Sequence, residues 1–242
     1  MKKVSIISML FLVVLLTACN KESAQNNQNI KPSTPEYLKI DNEGSTEIDA
    51  KVLRGALGEA NGVKLSELEI EGIKYMMEEE KLARDVYIRL YEKWGQMNFS
   101  NISRSEGTHI DAVQTLSQKY GIETEFYNDK TGTFFNPDLA KLYDGLVEQG
   151  DQSLVEALRV GALIEEIDIV DLEKYLAQTS NEDIALVYNN LMRGSRNHLR
   201  SFVKVLTAQG ETYVPQHLDE SSYNAIVNSA VERGNSVQGK NR

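Results

Sequence analysis

Residues 66–95 read SELEIEGIKYMMEEEKLARDVYIRLYEKWG, and this stretch decides the fold. It opens on Ser66 with Glu69 three positions later, the reciprocal pairing that caps a helix start. It stops at Gly95, a residue free to take the left-handed turn that ends a helix. Between those marks Ile73, Met76, Met77, Ala83, Tyr87, Tyr91 and Trp94 recur at helical spacing, the stripe that a helix turns toward a core. Met76 and Met77 are core residues on this pattern, and Tyr87 packs there with a hydrogen bond from its hydroxyl. Glu80 falls among them, a carboxylate in an apolar row. Glu79 is its rival, since Tyr75, Leu82, Val86 and Leu90 make its own stripe apolar.

Three more long helical segments follow: about 100–120 before Gly121, from Gly150 to about 178, and 180–210, opened by Ser180 with Asp183. Strand-like alternation is nearly absent, so the expected class is all-α. Short links join the first helix to the second and the third to the fourth, which makes each pair an antiparallel hairpin. Between the pairs runs the long connection Gly121 to Gly150, with the turn-rich run Asn128-Asp129-Lys130-Thr131-Gly132 and a short helix from Asp138 to Glu148. One long crossover between two helical hairpins is the arrangement of a ferritin-like four-helix bundle, expected here over 63–210. A tail over 211–242 carries one more short helix, from Asp219 to Arg233, and His217 in it is a surface residue.

The start of the chain has a different character. Lys2 and Lys3 precede an apolar run from Ile6 to Leu16, the pattern of a signal peptide over 1–18. The run ends in Leu16-Thr17-Ala18-Cys19, which resembles the lipobox of bacterial lipoproteins, as against an ordinary cleaved leader. The expectation is an extracytoplasmic protein held to the bacterial cell membrane by a lipid on Cys19. Residues 19–62, rich in Asn, Gln and Ser, are expected to form a disordered tether, with a loose turn or two from Ile48 to Leu57. Cys19 is the single cysteine, which excludes an intrachain disulfide and leaves the domain no thiolate for zinc or nucleophilic catalysis. The 36 acidic residues against 26 basic ones, a formal charge of −10, exclude the basic footprint a nucleic-acid partner requires and suit metal cations as guests.

Acidic residues and histidines interrupt the other apolar stripes as well. Glu106 and His109 share the face of Ile102, Ile110, Val113 and Leu116; three residues apart on a helix, their roots lie about 5–6 Å from one another. Glu165 and Asp168 complete the stripe of Leu154, Leu158, Gly161, Leu172 and Leu176, while Glu166 lines up with Arg159 and Glu173 and is read as solvated. Ser195 and His198 sit within the stripe of Ile184, Val187, Leu191, Phe202 and Val205. Burying ionised carboxylates costs several kcal/mol each unless cations compensate. Two divalent metals, iron or manganese by the oxygen-rich, thiolate-free donor set, would do so. The expected ligands are Glu80, Glu106, His109, Glu165, Asp168 and His198.

The run Glu80-Lys81-Leu82-Ala83-Arg84-Asp85-Val86-Tyr87 resembles the Glu-x-x-Ala-Arg-x-x-Tyr pattern of rubrerythrin-type proteins, and Glu106-x-x-His109 resembles their second-helix motif. With Ser105-Glu106-Gly107-Thr108-His109, Gly161-Ala162-Leu163-Ile164-Glu165-Glu166 and Arg193-Gly194-Ser195-Arg196-Asn197-His198-Leu199, residues 66–230 resemble the bacterial ferritin-like family catalogued as domain of unknown function 2202. The resemblance implies a dimetal-carboxylate bundle with no settled activity. One departure stands out: helix four offers Ser195-x-x-His198 where the dimetal pattern has Glu-x-x-His, and Asp168 is the carboxylate available to replace it. Two functions follow. One is an oxidoreductase or metal-handling protein built on the dimetal centre. The other is a non-catalytic surface scaffold that keeps a degenerate site as a buried polar network.

Overall fold

The computed structural model describes residues 37–41, 44–59 and 62–233. The expected signal peptide and Cys19 lie outside the described residues. The stretch quoted above is helix α2, Glu67–Trp94, with both halves of the Ser66–Glu69 capping box formed and Gly95 left-handed at φ 66°. Only Gly95 and Gln96 separate it from α3, Met97–Tyr120, so the two run as an antiparallel hairpin. The second hairpin is α5, Leu154–Leu176, and α6, Glu182–Ala208, capped by Ser153 and Asn181. The cap of α6 is thus Asn181 rather than Ser180; its side chain accepts from the main chain of Asp183 and Ile184. Contacts of α2 with α5 and of α3 with α6 close the four into an all-α bundle. None of the described helices is long and apolar enough to cross a membrane.

Charged residues on the outer side of α2 pin the crossover. Glu78 accepts hydrogen bonds from the main-chain N–H groups of Phe135 (2.6 Å) and Asn136 (2.9 Å), just before α4, Pro137–Gly150. Lys81 and Asp85 pair beneath the crossover, Lys81 lying over the Phe134 ring and donating to the Lys130 carbonyl at 3.0 Å. This leaves Glu79 and Glu80 to face the bundle interior.

Two expectations are corrected. Part of the expected tether is folded: Leu38–Ile40 (β1) and Thr46–Ile48 (β2) pair antiparallel with Ile40 opposite Thr46, and Ala50–Leu57 forms α1. Tyr37, Leu38, Thr46, Ile48, Leu53 and Leu57 are buried, and β2 and α1 lie against α3. The apolar area they remove from water, and the capping of α1 by Asp49, offset the ordering cost that a composition rich in polar residues suggests is not met. Glu166 is also not solvated. It is fully buried, accepting from the Tyr213 hydroxyl and from the main-chain N–H groups of Gln216 (3.0 Å) and Leu218 (3.2 Å). The tail that follows α6 thereby covers this face of α5 before α7, Glu220–Val227. His217 is exposed.

Candidate metal centre

The four long helices each turn a polar residue into the same interior volume. Glu80 comes from α2, Glu106 and His109 from α3, Glu165 and Asp168 from α5, Ser195 and His198 from α6. Both imidazoles are fully buried, and Glu80, Glu106 and Glu165 are each only 2% exposed. Close packing beneath them sets their positions. Tyr87, Phe99 and Phe202 form a ring cluster with centroids 5.3–6.1 Å apart, and the Tyr87 hydroxyl donates to Glu165 Oε1 at 2.5 Å. Gly161 makes room for it, since a Cβ there would lie 2.5 Å from the Phe202 ring.

Glu106 occupies the middle. Its Oε2 lies 2.8 Å from His109 Nδ1 and its Oε1 3.0 Å from His198 Nδ1. Glu80 Oε2 is 3.1 Å from His109 Nδ1, and Glu165 Oε2 is 3.5 Å from His198 Nδ1. Two groups result, Glu80–Glu106–His109 and Glu106–Glu165–His198, each offering three donor atoms within 4.8 Å of one another, with Glu106 common to both. The two rings stack at 5.5 Å between centroids.

Donor chemistry and unmet valences both fit divalent cations. Glu80 Oε1 and Asp168 Oδ1 are buried without a hydrogen-bond partner, and Glu106 Oε1 and His198 Nδ1 meet each other 3.0 Å apart without hydrogen-bond alignment. Each such atom costs about 1–3 kcal/mol, so their convergence calls for a guest. A cavity of about 10 Å³ between Glu79, Glu80, Ala83, Glu106, Ile164, Glu165 and Asp168 admits an ion or a single water and no organic molecule.

Electrostatics follow from burial and from the paired rings. Burial raises Glu80 and Glu165, each to about 7 even with an imidazole beside it. Burial also opposes charge on Glu106, but His198 and His109 outweigh it and hold that carboxyl at about 2. Burial works against charge on the rings, and the carboxylates override it, lifting His198 to about 10 and His109 well above its usual value.

Of the six expected ligands, five meet in the two groups. Asp168 stands beside them: its carboxylate accepts a hydrogen bond from Ser195, so Ser195 meets a carboxylate from α5 at the place where α6 lacks one. Glu79 lines the same cavity, buried, and burial together with Asp168 raises it well above the usual carboxylate range. Thr46 is the residue the sequence reading missed. Its Oγ1 lies 2.8 Å from His109 Nε2 and 3.2 Å from His198 Nε2. The alternation of Leu38-Lys39-Ile40 and Thr46-Glu47-Ile48 was the available signal.

Residues 69–230 match the family described as an uncharacterized protein domain, DUF2202. The chain belongs to the DUF2202 family. Among its relatives, the uncharacterized protein MJ0754 of Methanocaldococcus jannaschii is 54% identical over 170 residues, covering 70% of this chain and 92% of that protein. The crystal structure of hypothetical protein MJ0754 from Methanococcus jannaschii aligns with a TM-score of 0.70 at 51% identity, over 72% of this chain and 100% of that one. The DUF2202 match contains every expected ligand and begins after Thr46.

Proposed function

We propose that this chain is a ferritin-like protein that holds two divalent cations, iron or manganese, for redox or metal-handling chemistry outside the cytoplasm. The observation that carries the proposal is the shared carboxylate: Glu106 offers one oxygen to each imidazole Nδ1, and Glu80 and Glu165 complete the two donor groups. Bound there, such ions would supply a redox couple and Lewis acidity. Glu80 with His109 would hold one ion and Glu165 with His198 the other, while Asp168, fixed by Ser195, adds carboxylate charge at their side. The enclosing apolar side chains exclude bulk water, and the small cavity favours a reactant of one or two heavy atoms over an organic substrate.

The proposed address rests on the apolar run to Leu16 and on Leu16-Thr17-Ala18-Cys19. A lipid on Cys19 would hold the bundle at the cell membrane.

Elemental analysis of the full chain prepared with iron or manganese tests the centre, alongside His109→Ala and His198→Ala. The expected result is about two ions per chain, reduced in each variant. A fully helical wild-type chain that takes up neither metal would instead support the scaffold, for which the imidazole–carboxylate network is a structural core.

A further inference from the structure

Thr46 lies on the short hairpin laid across α3 and α6, and its hydroxyl reaches the Nε2 atoms of both rings, as Glu106 reaches both Nδ1 atoms. We infer that Thr46 is a positioning residue for both histidines: its hydroxyl oxygen accepts the two Nε2–H groups and so turns both Nδ1 atoms toward the carboxylates. This rests on the two-cation function proposed above.

The valences match. A hydroxyl oxygen has two lone pairs, and an imidazole carries a hydrogen on Nε2 when its Nδ1 holds a cation, or when the ring is protonated on both nitrogens beside its carboxylates. Two rings sharing one acceptor are brought near parallel, as their 20° interplanar angle records. Nothing about Thr46 is left loose. Its main-chain N–H donates to Ser105 Oγ at 2.9 Å, and that of Ile48 to Thr108 Oγ1 at 3.0 Å, both on the helix that carries Glu106 and His109. On the other side the chain rests on α6 at Gly44, where φ is +89° and a Cβ would stand 3.0 Å from the Asn197 carbonyl oxygen. Helix α6 is notched to receive these groups. A Cβ on Gly194 would lie 2.6 Å from His109 Cε1 and 3.2 Å from Thr46 Oγ1. Strand, helix and missing side chain thus converge on one hydroxyl, which also closes the histidine end of the centre.

The test compares full-length wild type, Thr46→Val and Thr46→Ser. Competition titration with a chromophoric chelator should show Mn(II) binding weakened about 10- to 100-fold in Thr46→Val and restored by serine, the range for loss of an outer partner of a ligand histidine. In parallel, proton–nitrogen correlation spectra of the imidazoles, without added metal, should show two slowly exchanging Nε2–H signals in wild type and Thr46→Ser. At least one should be lost in Thr46→Val. Equal affinity with unchanged imidazole signals in Thr46→Val overturns the role of Thr46 while leaving the metal centre intact. If wild type binds no metal, the proposed function is lost, and the imidazole spectra alone decide whether Thr46 orients the rings. Should Thr46→Val not fold, the wild-type spectrum decides: the absence of two protected Nε2–H groups rules the inference out.

Discussion

Glu106 Oε1 and His198 Nδ1 face each other at 3.0 Å in the interior without the alignment of a hydrogen bond. The other oxygen of the same carboxylate sits 2.8 Å from His109 Nδ1. One side chain therefore serves both donor groups, which makes it the most informative to change. Glu106→Gln is expected to abolish uptake at both positions, whereas Glu80→Gln is expected to remove one. Metal-to-protein ratios distinguish them, and a Glu106→Gln chain retaining one full ion would contradict the sharing. Without metal, Glu106→Gln leaves two buried imidazoles short of their counter-charge, and chemical denaturation should show a loss of about 3–5 kcal/mol.

The pH dependence has a definite sign. His198 at about 10 and Glu80 and Glu165 at about 7 all sit above their ordinary values of 6.5 and 4.5. Between pH 4.5 and 10 the metal-free folded chain holds more protons than the unfolded one, so its stability falls as pH rises. Glu106 acts in the opposite direction, its contribution present above pH 4.5 and lost as pH falls toward 2. Metal ligands must be deprotonated, so a bound cation reverses the alkaline trend. Thermal unfolding at pH 5.5 and 9 should show Tm falling in metal-free chain and the gain from Mn(II) growing. A metal-free Tm that rises over this span would show that the rings and carboxylates are not protonated as argued.

Two glycines give a matched pair. Gly194→Ala drives a methyl to within 2.6 Å of His109 Cε1, and overpacking of this kind costs about 1–3 kcal/mol. Weaker metal binding should accompany it. Gly107 lies within α3 with nothing near its would-be Cβ, so Gly107→Ala should stabilise the chain by roughly 0.5–1 kcal/mol. Urea titrations of both variants check the contrast.

Glu166→Ala should release the tail from α5. Hydrogen bonds to a buried charged acceptor are worth about 1.5–3 kcal/mol each. Three donors from 213–218 lose their acceptor in this variant. Limited proteolysis should then cut within 211–218 while metal content is unchanged; loss of metal together with the tail would tie Glu166 to the centre.

For the address, Cys19→Ser should move the protein from the membrane fraction to the soluble extracytoplasmic fraction and abolish incorporation of labelled fatty acid. Persistence of membrane attachment would show that Cys19 is not the anchor.

Helix periodicity made much of this centre legible from sequence. Glu80, Glu106, His109, Glu165 and His198 each replace an apolar residue on a regular stripe, and four such stripes can meet only in the middle of the bundle. What a stripe cannot reveal is a second covering. Glu166 looked outward because the segment that buries it comes from beyond α6, and Glu78 and Lys81 are buried by the crossover rather than by the bundle. Thr46 escaped for another reason. Strands of three residues carry too few alternations to stand out, and their polar setting resembles a linker.

The Thr46–His198 contact joins residues 152 positions apart, whereas Glu106 and His109 are three apart on one helix. Loop-closure entropy rises with such separation, so local helical pairs form readily and contacts between distant segments wait for them. The strand that carries Thr46 is thus fully seated only once α3 and α6 have packed, since its hydroxyl touches a ring from each. Until it is seated, neither imidazole has the Thr46 hydroxyl at its Nε2.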